Sequence, residues 1–447
     1  MQTGQTKYGT GMTVSACVWL GLFPLLQCGT YHTLTRDKWI IMFILAGITL
    51  ACFAADLLCR RVFRPRPAIL LAGAGLLLWI LLSCLFSPFP ASVWWTGAGR
   101  RDGLASQLCY LGLFFLFSFS RVRRTPVLIS AGCGLLVFFV VVMMQRAGQN
   151  PFGLYPEGYS YRKARYFQGT IGNTDMCAGY LLIVAGLFLP VYLRRLRRVF
   201  RSSGNEDIKE ARSEPAFLRA ASVFFLHIVS GLCLFLLVTV GVRFGLLVLV
   251  LLLVRILVRF LPKKLRIPVL LLFCVLVLAV VWFCPGGQFS MLHEMHEVLH
   301  GRILPSFGNN RIGVWSWTVT MLREEGRLLL GTGADTYAVR FSSFLEQCAE
   351  EHPDAELPKG YFDNPHCDGL ALLSNCGIPA LLLFAVLLFM GCSGVSAWRD
   401  SVFCFGIQLL FSFSVCIVAP MFWAVLGLSC SMPPPKKQKS GSAVQKA

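Results

Sequence analysis

The chain has 447 residues, of which 56% are hydrophobic and only 14% charged, whereas a soluble domain has about a quarter of its residues charged. That balance excludes a soluble globular protein, and because lipid offers backbone polar groups no partner, long apolar runs must cross it as helices. The formal net charge of +19 raises the question of a nucleic-acid partner, and the placement of that charge along the chain answers it.

In chain order, apolar runs predict twelve spans, near 12–28, 39–59, 68–86, 104–120, 126–144, 174–193, 217–238, 241–259, 267–284, 368–391, 401–416 and 418–431. The first follows Lys7 and ends in Leu-Leu-Gln-Cys28, which resembles a secretory or lipoprotein cleavage site. Gln27 fits that site poorly and no A-x-A pattern follows, so the run reads as an uncleaved span. Stretches such as "WIIMFILAGITLACFAADLLC" and "RIPVLLLFCVLVLAVVWFC" are long enough for a hydrocarbon core of about 30 Å.

The basic runs "RRVFRPR", "RVRR", "RRLRRVFR" and "RFLPKKLR" all fall between spans on the same side, whereas acids balance the bases on the other. This is the positive-inside pattern. It places both termini in the cytoplasm, makes membrane lipid the partner and excludes nucleic acid.

The fold expected is an all-α polytopic membrane protein of about twelve transmembrane helices with a large extracytoplasmic loop before the tenth. Its parts are nine spans over 1–284, the loop over 285–366, three spans over 367–431 and a basic cytoplasmic tail over 432–447. The segment 194–216 reads as a charge-rich surface connection. Most of the eighteen cysteines lie inside spans, where a thiol behaves as a small apolar group. Cys348 and Cys367, both predicted outside, leave a disulfide open.

The large loop contains His296-Glu297-Val298-Leu299-His300, the H-E-x-x-H spacing of zinc proteases, with His293 as a third imidazole. Gly301 ends the helix at once and no third ligand motif comes after it, so an interfacial segment with histidines on its polar face is the preferred reading. In the same loop Ile312, Trp315, Val319 and Leu322 recur at helical spacing, which predicts an amphipathic helix lying on the membrane face or capping the bundle.

On this topology "GAGRRDGL" (97–104), "GTIGNTDMCAGYL" (169–181), "VGVRFG" (240–245), "NRIGVW" (310–315), "GTGADTY" (331–337) and "FDNPHCDGL" (362–370) face one compartment. The glycines of "GTGADTY" predict a turn, with Asp335 capping the segment after it.

This set resembles the O-antigen ligase and polymerase superfamily of bacterial membrane glycosyltransferases, over about residues 92–390. The resemblance rests on the order R-x-x-x-W, G-x-G-x-D-T-Y, then His366 ahead of a span containing "GIPALLLF". The family's His-Asn, Ser-Arg and Gly-Asn-x-Asn appear here as His366-Cys367, Val242-Arg243 and Gly172-Asn173-Thr174-Asp175.

The resemblance implies transfer of a glycan from an undecaprenyl diphosphate carrier to an acceptor hydroxyl, at the outer face of the bacterial cytoplasmic membrane. In that chemistry arginine's planar fork suits a diphosphate leaving group, and histidine has the pKa of a base near neutral pH. His366 is the candidate base and Arg243 and Arg311 the candidate diphosphate holders. Arg100, Arg101, Asn173, Asp335 and Tyr337 are the candidate substrate-binding residues. The chemistry so implied uses no cofactor and no metal, because fixed guanidinium groups supply the positive charge.

Each assignment has an ordinary competitor. Arg243, Arg100 and Arg101 sit where arginines snorkel to headgroups, Arg311 has Asp335 or Glu324 available as ion-pair partners, and His366 suits an interface cap. For the whole chain the rival functions are a transporter or flippase of polyprenyl-linked sugars and, less favoured, a membrane zinc protease.

Overall fold

The computed structural model describes residues 8–97, 99–150, 152–155, 167–201, 216–287, 290–393 and 397–431. The basic tail from 432 and the middle of the charge-rich connection, 202–215, lie outside the described residues.

Helices stand at all twelve predicted places. They are α1 (Thr10–Cys17, continued by tighter and wider turns to Leu25), α2 (Leu34–Leu58), α3 (Pro67–Leu85), α5 (Leu104–Ser118), α6 (Arg124–Arg146), α7 (Thr174–Arg201), α8 (Ala216–Val240), α9 (Arg243–Phe260), α10 (Lys263–Phe283), α14 (Asp368–Ser393), α15 (Arg399–Gln408) and α16 (Ala419–Cys430). Between them come the one-turn α4 (Pro90–Val93) and, in the large loop, α11 (Met291–Leu299), α12 (Arg311–Glu325) and α13 (Tyr337–Glu351). A two-residue ladder, Phe167–Gln168 against Gly172–Asn173, is the single pair of named strands among the described residues.

Among the described residues, seven of these helices are long and apolar enough to cross a membrane, those at 34–58, 67–85, 124–146, 174–197, 220–240, 263–283 and 368–393. The other predicted spans fall short for identifiable reasons. The first breaks up around Pro24, α15 stops at Gln408, and α5 and α16 have 15 and 12 residues. In α9 three arginines interrupt an otherwise apolar run.

Helix α7 is central, with 83% of its apolar window buried; α10 is peripheral, with 6% buried, and presents apolar side chains almost all round, as a helix bathed in lipid does. Charges inside the bundle have backbone partners. Asp56 of α2, 2% exposed, accepts from the backbone N–H groups of Gly11 and Met12 and so caps α1. Lys38, fully buried, donates through Nζ to the carbonyls of Phe23 and Pro24 at the broken end of the first helix, which also accept from the Leu26 N–H and the Thr170 hydroxyl respectively.

One end of the bundle is knotted by ion pairs around Asp400. Its carboxylate takes Arg259 at 2.7 Å through both terminal nitrogens and Arg255 at 3.0 Å, while Arg255 also donates to the carbonyl of Cys392. The hub ties α9 to α14 and α15. Asp400→Asn is expected to destabilise the protein by about 3 kcal/mol, the low end for breaking a buried pair, because the arginine side chains remain about a quarter exposed. A melting temperature within a degree of wild type in detergent would show that the hub holds nothing.

At the other end the loop between α10 and α14 is folded and has its own small core. Val314, Met321, Tyr337, Phe341, Phe344 and Cys348 pack together, joined by Trp317, Leu345, Leu357 and Phe362. The buried stripe of α12 is therefore Val314, Thr318, Met321 and Leu322, and of the predicted stripe only Leu322 is buried. Val319 is exposed and Trp315 turns toward the bundle, because α12 is held between α13 on one side and the end of the bundle on the other.

The loop enters the bundle at a break in α14. Gly377 is non-helical (φ 80°, ψ 179°), and the strand of chain from Leu328 to Gly333 fills the opening. Ile378 donates to the Leu328 carbonyl at 2.9 Å, and the N–H groups of Thr332 and Gly333 donate to the Asn375 carbonyl at 3.0 and 2.7 Å. The backbone groups freed by the break are thus satisfied by protein rather than lipid.

The eighteen cysteines are all free thiols. Cys348 lies in the core of the loop and forms no disulfide with Cys367.

Candidate active site

The site lies where α12, the 99–102 segment, the start of α7 and the 363–366 segment meet. Arg311, the first residue of α12, reaches across to Asp175 in the first turn of α7, with Nη2 to Oδ2 at 3.1 Å. Its partner is thus neither Asp335 nor Glu324. Arg100 pairs through Nε with Asp363 and lays its guanidinium over the Phe413 ring, 4.2 Å from the centroid.

His366 sits between the two pairs. Its backbone is left-handed (φ 52°), fixed by an N–H bond to Asn364 Oδ1 at 2.7 Å, and Trp315 anchors the preceding residue by donating to the Pro365 carbonyl at 2.7 Å. The imidazole meets the edge of Phe413, centroids 5.1 Å apart, and Nδ1 is buried with no hydrogen-bond partner among the described residues. Burial first, then Arg311 and Arg100, push its pKa down to about 4, and Asp363 opposes them. The ring is therefore neutral near pH 7.

The aromatic row Phe244, Phe411 and Trp315 backs this constellation, with centroids 4.1 and 5.4 Å apart. Arg243, at the start of α9, stands beside Phe244 at the end of that row and is exposed.

The remaining candidates are placed differently. Asp335 accepts from the backbone N–H groups of Gly99, Arg100 and Asp102 at 3.0–3.1 Å, so it shapes the segment that carries Arg100 instead of capping α13. Burial holds its pKa up at about 6 against those three bonds. Arg101 turns to the other side, over the Trp39 ring at 5.7 Å. Tyr337 is 1% exposed, its hydroxyl is bonded to Thr318 at 2.8 Å, and it belongs to the loop core. Asn173 Oδ1 accepts from the Asp175 N–H at 2.8 Å, which fixes the entry of α7. Asp335, Tyr337 and Asn173 support the site from behind.

Beneath the site a cavity of about 70 Å³ is lined by Asp102, Asp335, Asp368, Tyr110, Asn375 and apolar side chains of the bundle. Asp102 takes Tyr110 at 2.7 Å and Gln107 at 2.9 Å, and burial followed by the charge of Asp335 raises its pKa well above the carboxylate range.

The H-E-x-x-H stretch is arranged as scaffold. Nδ1 of His296 and of His300 face the backbone carbonyls of Val281 and His296, at 2.9 and 2.8 Å. Glu297 is held by the fork of Arg302 at 2.5 and 2.8 Å. His300 lies on Trp282, which pins α11 to the end of α10.

The family described as O-Antigen ligase matches residues 228–385. That stretch is similar to the family, and it belongs to a chain with helices long and apolar enough to cross a membrane. No curated protein matches the chain. The matched stretch runs from the middle of α8 to the second half of α14 and holds Arg243, Arg311 and His366. Asp175, Arg100 and the Gly99–Asp102 segment, which complete the constellation, come from the chain before this stretch.

The structure brings the candidates Arg311, Arg100 and His366 together; sequence reasoning missed Asp175 as the partner of Arg311 and the two-sided placement of Phe413. Asp175 had one signal: it is a carboxylate where the resembled pattern has asparagine.

Proposed function

We propose that the chain is a glycosyltransferase that moves a glycan from undecaprenyl diphosphate to an acceptor hydroxyl at the outer face of the bacterial cytoplasmic membrane, with both termini cytoplasmic. The observation carrying this reading is the convergence of Arg311, Arg100 and a neutral His366 at one end of an apolar bundle. A diphosphate that leaves with several negative charges calls for fixed cations near lipid, and guanidinium forks bind phosphate oxygens while remaining charged.

In this mechanism the acceptor oxygen attacks the anomeric carbon as its proton passes to His366. The bond from the anomeric carbon to the phosphate oxygen breaks, and its electron pair leaves with the diphosphate, which Arg311 and Arg100 stabilise. Arg243, beside the aromatic row, meets the carrier's charge from the α9 side. Arg101 lies on the acceptor side near Trp39.

The test is glycan transfer by purified full-length protein from undecaprenyl diphosphate oligosaccharides, with and without chelator. The expected result is release of carrier diphosphate with a glycan joined to the acceptor, unchanged by chelator. Movement of intact donor across a vesicle membrane without bond cleavage would replace the transferase by a flippase.

A further inference from the structure

Both arginines assigned to the diphosphate are already occupied. Arg311 is taken by Asp175 and Arg100 by Asp363, with all four side chains between 17% and 27% exposed. Neither carboxylate is deeply held. Arg311 is the partner of the Asp175 side chain, and beyond Arg100 the Asp363 side chain has only a long contact of 3.5 Å from Asn364. Asp335, with three backbone donors, and Asp400, with two arginines, are by contrast locked.

Resting on the transferase reading, we propose that Arg311–Asp175 and Arg100–Asp363 are latches opened by the donor's diphosphate, and that Asp175 and Asp363 thereby act as positioning residues that turn His366 into a base only when donor is bound.

The charge around His366 supports this. Arg311 faces the imidazole from α12 and Arg100 from the 99–102 segment, with Asp363 on its own segment. Asp368, at the start of α14, is turned to the backbone N–H of Ser414 at 3.1 Å. In the closed arrangement the two guanidiniums oppose a proton on the ring. A diphosphate oxygen on each arginine replaces one carboxylate and brings extra negative charge. The proton that the ring resisted is then stabilised, at the moment when the acceptor hydroxyl must give one up. Before donor binds, the site does not activate water or acceptor.

Partial exposure makes the exchange accessible. A partly solvated Arg–Asp pair is a weak contact, whereas a bidentate guanidinium–phosphate contact is among the stronger charge-assisted bonds.

The experiment uses the full chain in nanodiscs with ¹⁵N-labelled histidine, the His366 resonances being assigned by their loss in His366→Gln. Inorganic pyrophosphate is the probe, and its binding is followed by ³¹P NMR. Without probe His366 is expected to titrate at about 4, and with saturating pyrophosphate to move up by about one pH unit or more. Asp175→Asn, which removes the competing anion, is expected to tighten pyrophosphate binding several-fold. An unmoved His366 with pyrophosphate bound, absence of pyrophosphate binding, or weaker binding in Asp175→Asn would each overturn the latch. A His366 that moves as expected in a protein that transfers no glycan would sink the transferase reading and leave the latch standing, and the converse result would do the reverse.

Discussion

Arg311→Ala is expected to lower glycan transfer about 10³-fold, chiefly in kcat, with the donor's KM changed far less. The guanidinium stands at the N-terminus of α12, 18% exposed, and is the cation that links the loop to α7 through Asp175. Its charge is most useful when the anomeric bond is breaking and the diphosphate gains negative charge, so its loss falls on the transition state more than on the bound donor. His366→Ala is expected to cost about 10²–10⁴-fold, the range for removing a positioned base.

Two controls separate chemistry from structure. The double variant Arg311→Ala with Asp175→Asn removes the unpaired carboxylate that the single variant leaves, so a recovery of melting temperature without recovery of transfer assigns the loss to the missing cation. Arg311→Lys keeps a charge but not the fork, and should fall between wild type and alanine. Wild-type turnover in Arg311→Ala would remove this residue from the mechanism.

The pH dependence adds a second reading of the same site. For a base that works neutral, activity is lost as pH falls through its pKa. In free protein that limb lies near pH 4, well below the 6.5 of an ordinary imidazole. Because kcat/KM reports the free protein and kcat the donor complex, the acid limb of kcat is expected at higher pH than that of kcat/KM for donor.

The helices were legible because length and apolarity alone decide what can lie in lipid, and a helix stands in each of the twelve predicted runs. What defeated the span count was local: Pro24 in the first run, the end of α15 at Gln408, and the arginines of α9 that serve Asp400. In the site, charge was legible and direction was not. Arg100 and Arg101 are neighbours in sequence, yet a left-handed backbone at Arg101 (φ 62°) sends one to Asp363 and the other to Trp39. The same holds for His296 and His300, whose spacing suited zinc but whose Nδ1 atoms face carbonyls, a fact that no spacing encodes.

Gly377→Ala is expected to be the most destructive single change outside the charged residues. A β-carbon at this position would lie 2.0 Å from the Leu329 carbonyl oxygen and 2.9 Å from that of Leu328, both backbone atoms that cannot rotate away. The conformation itself, φ 80° with ψ 179°, is open essentially to glycine alone and adds about 1–3 kcal/mol for any residue with a β-carbon. To relieve the clash the Leu328–Gly333 segment must withdraw, which loses the bonds from Ile378 to Leu328 and from Thr332 and Gly333 to Asn375. Buried groups left unpaired cost about 1–3 kcal/mol each, so the total is several kcal/mol.

Gly231, in the middle of α8, is the matched control, since an added β-carbon there meets nothing within 4 Å and alanine is the better helix former. A melting temperature that falls in Gly377→Ala and is unchanged or higher in Gly231→Ala would show that the loop is held by the break in α14. Equal melting temperatures for the two variants would refute it. The damage should reach the chemistry as well. The withdrawn segment leads directly to Asp335, whose carboxylate shapes the 99–102 turn, and that turn carries Arg100 to Asp363 beside His366. A glycine buried in the bundle thus sets where the arginine of the site can stand, and transfer in Gly377→Ala should remain low even at temperatures where the variant is folded.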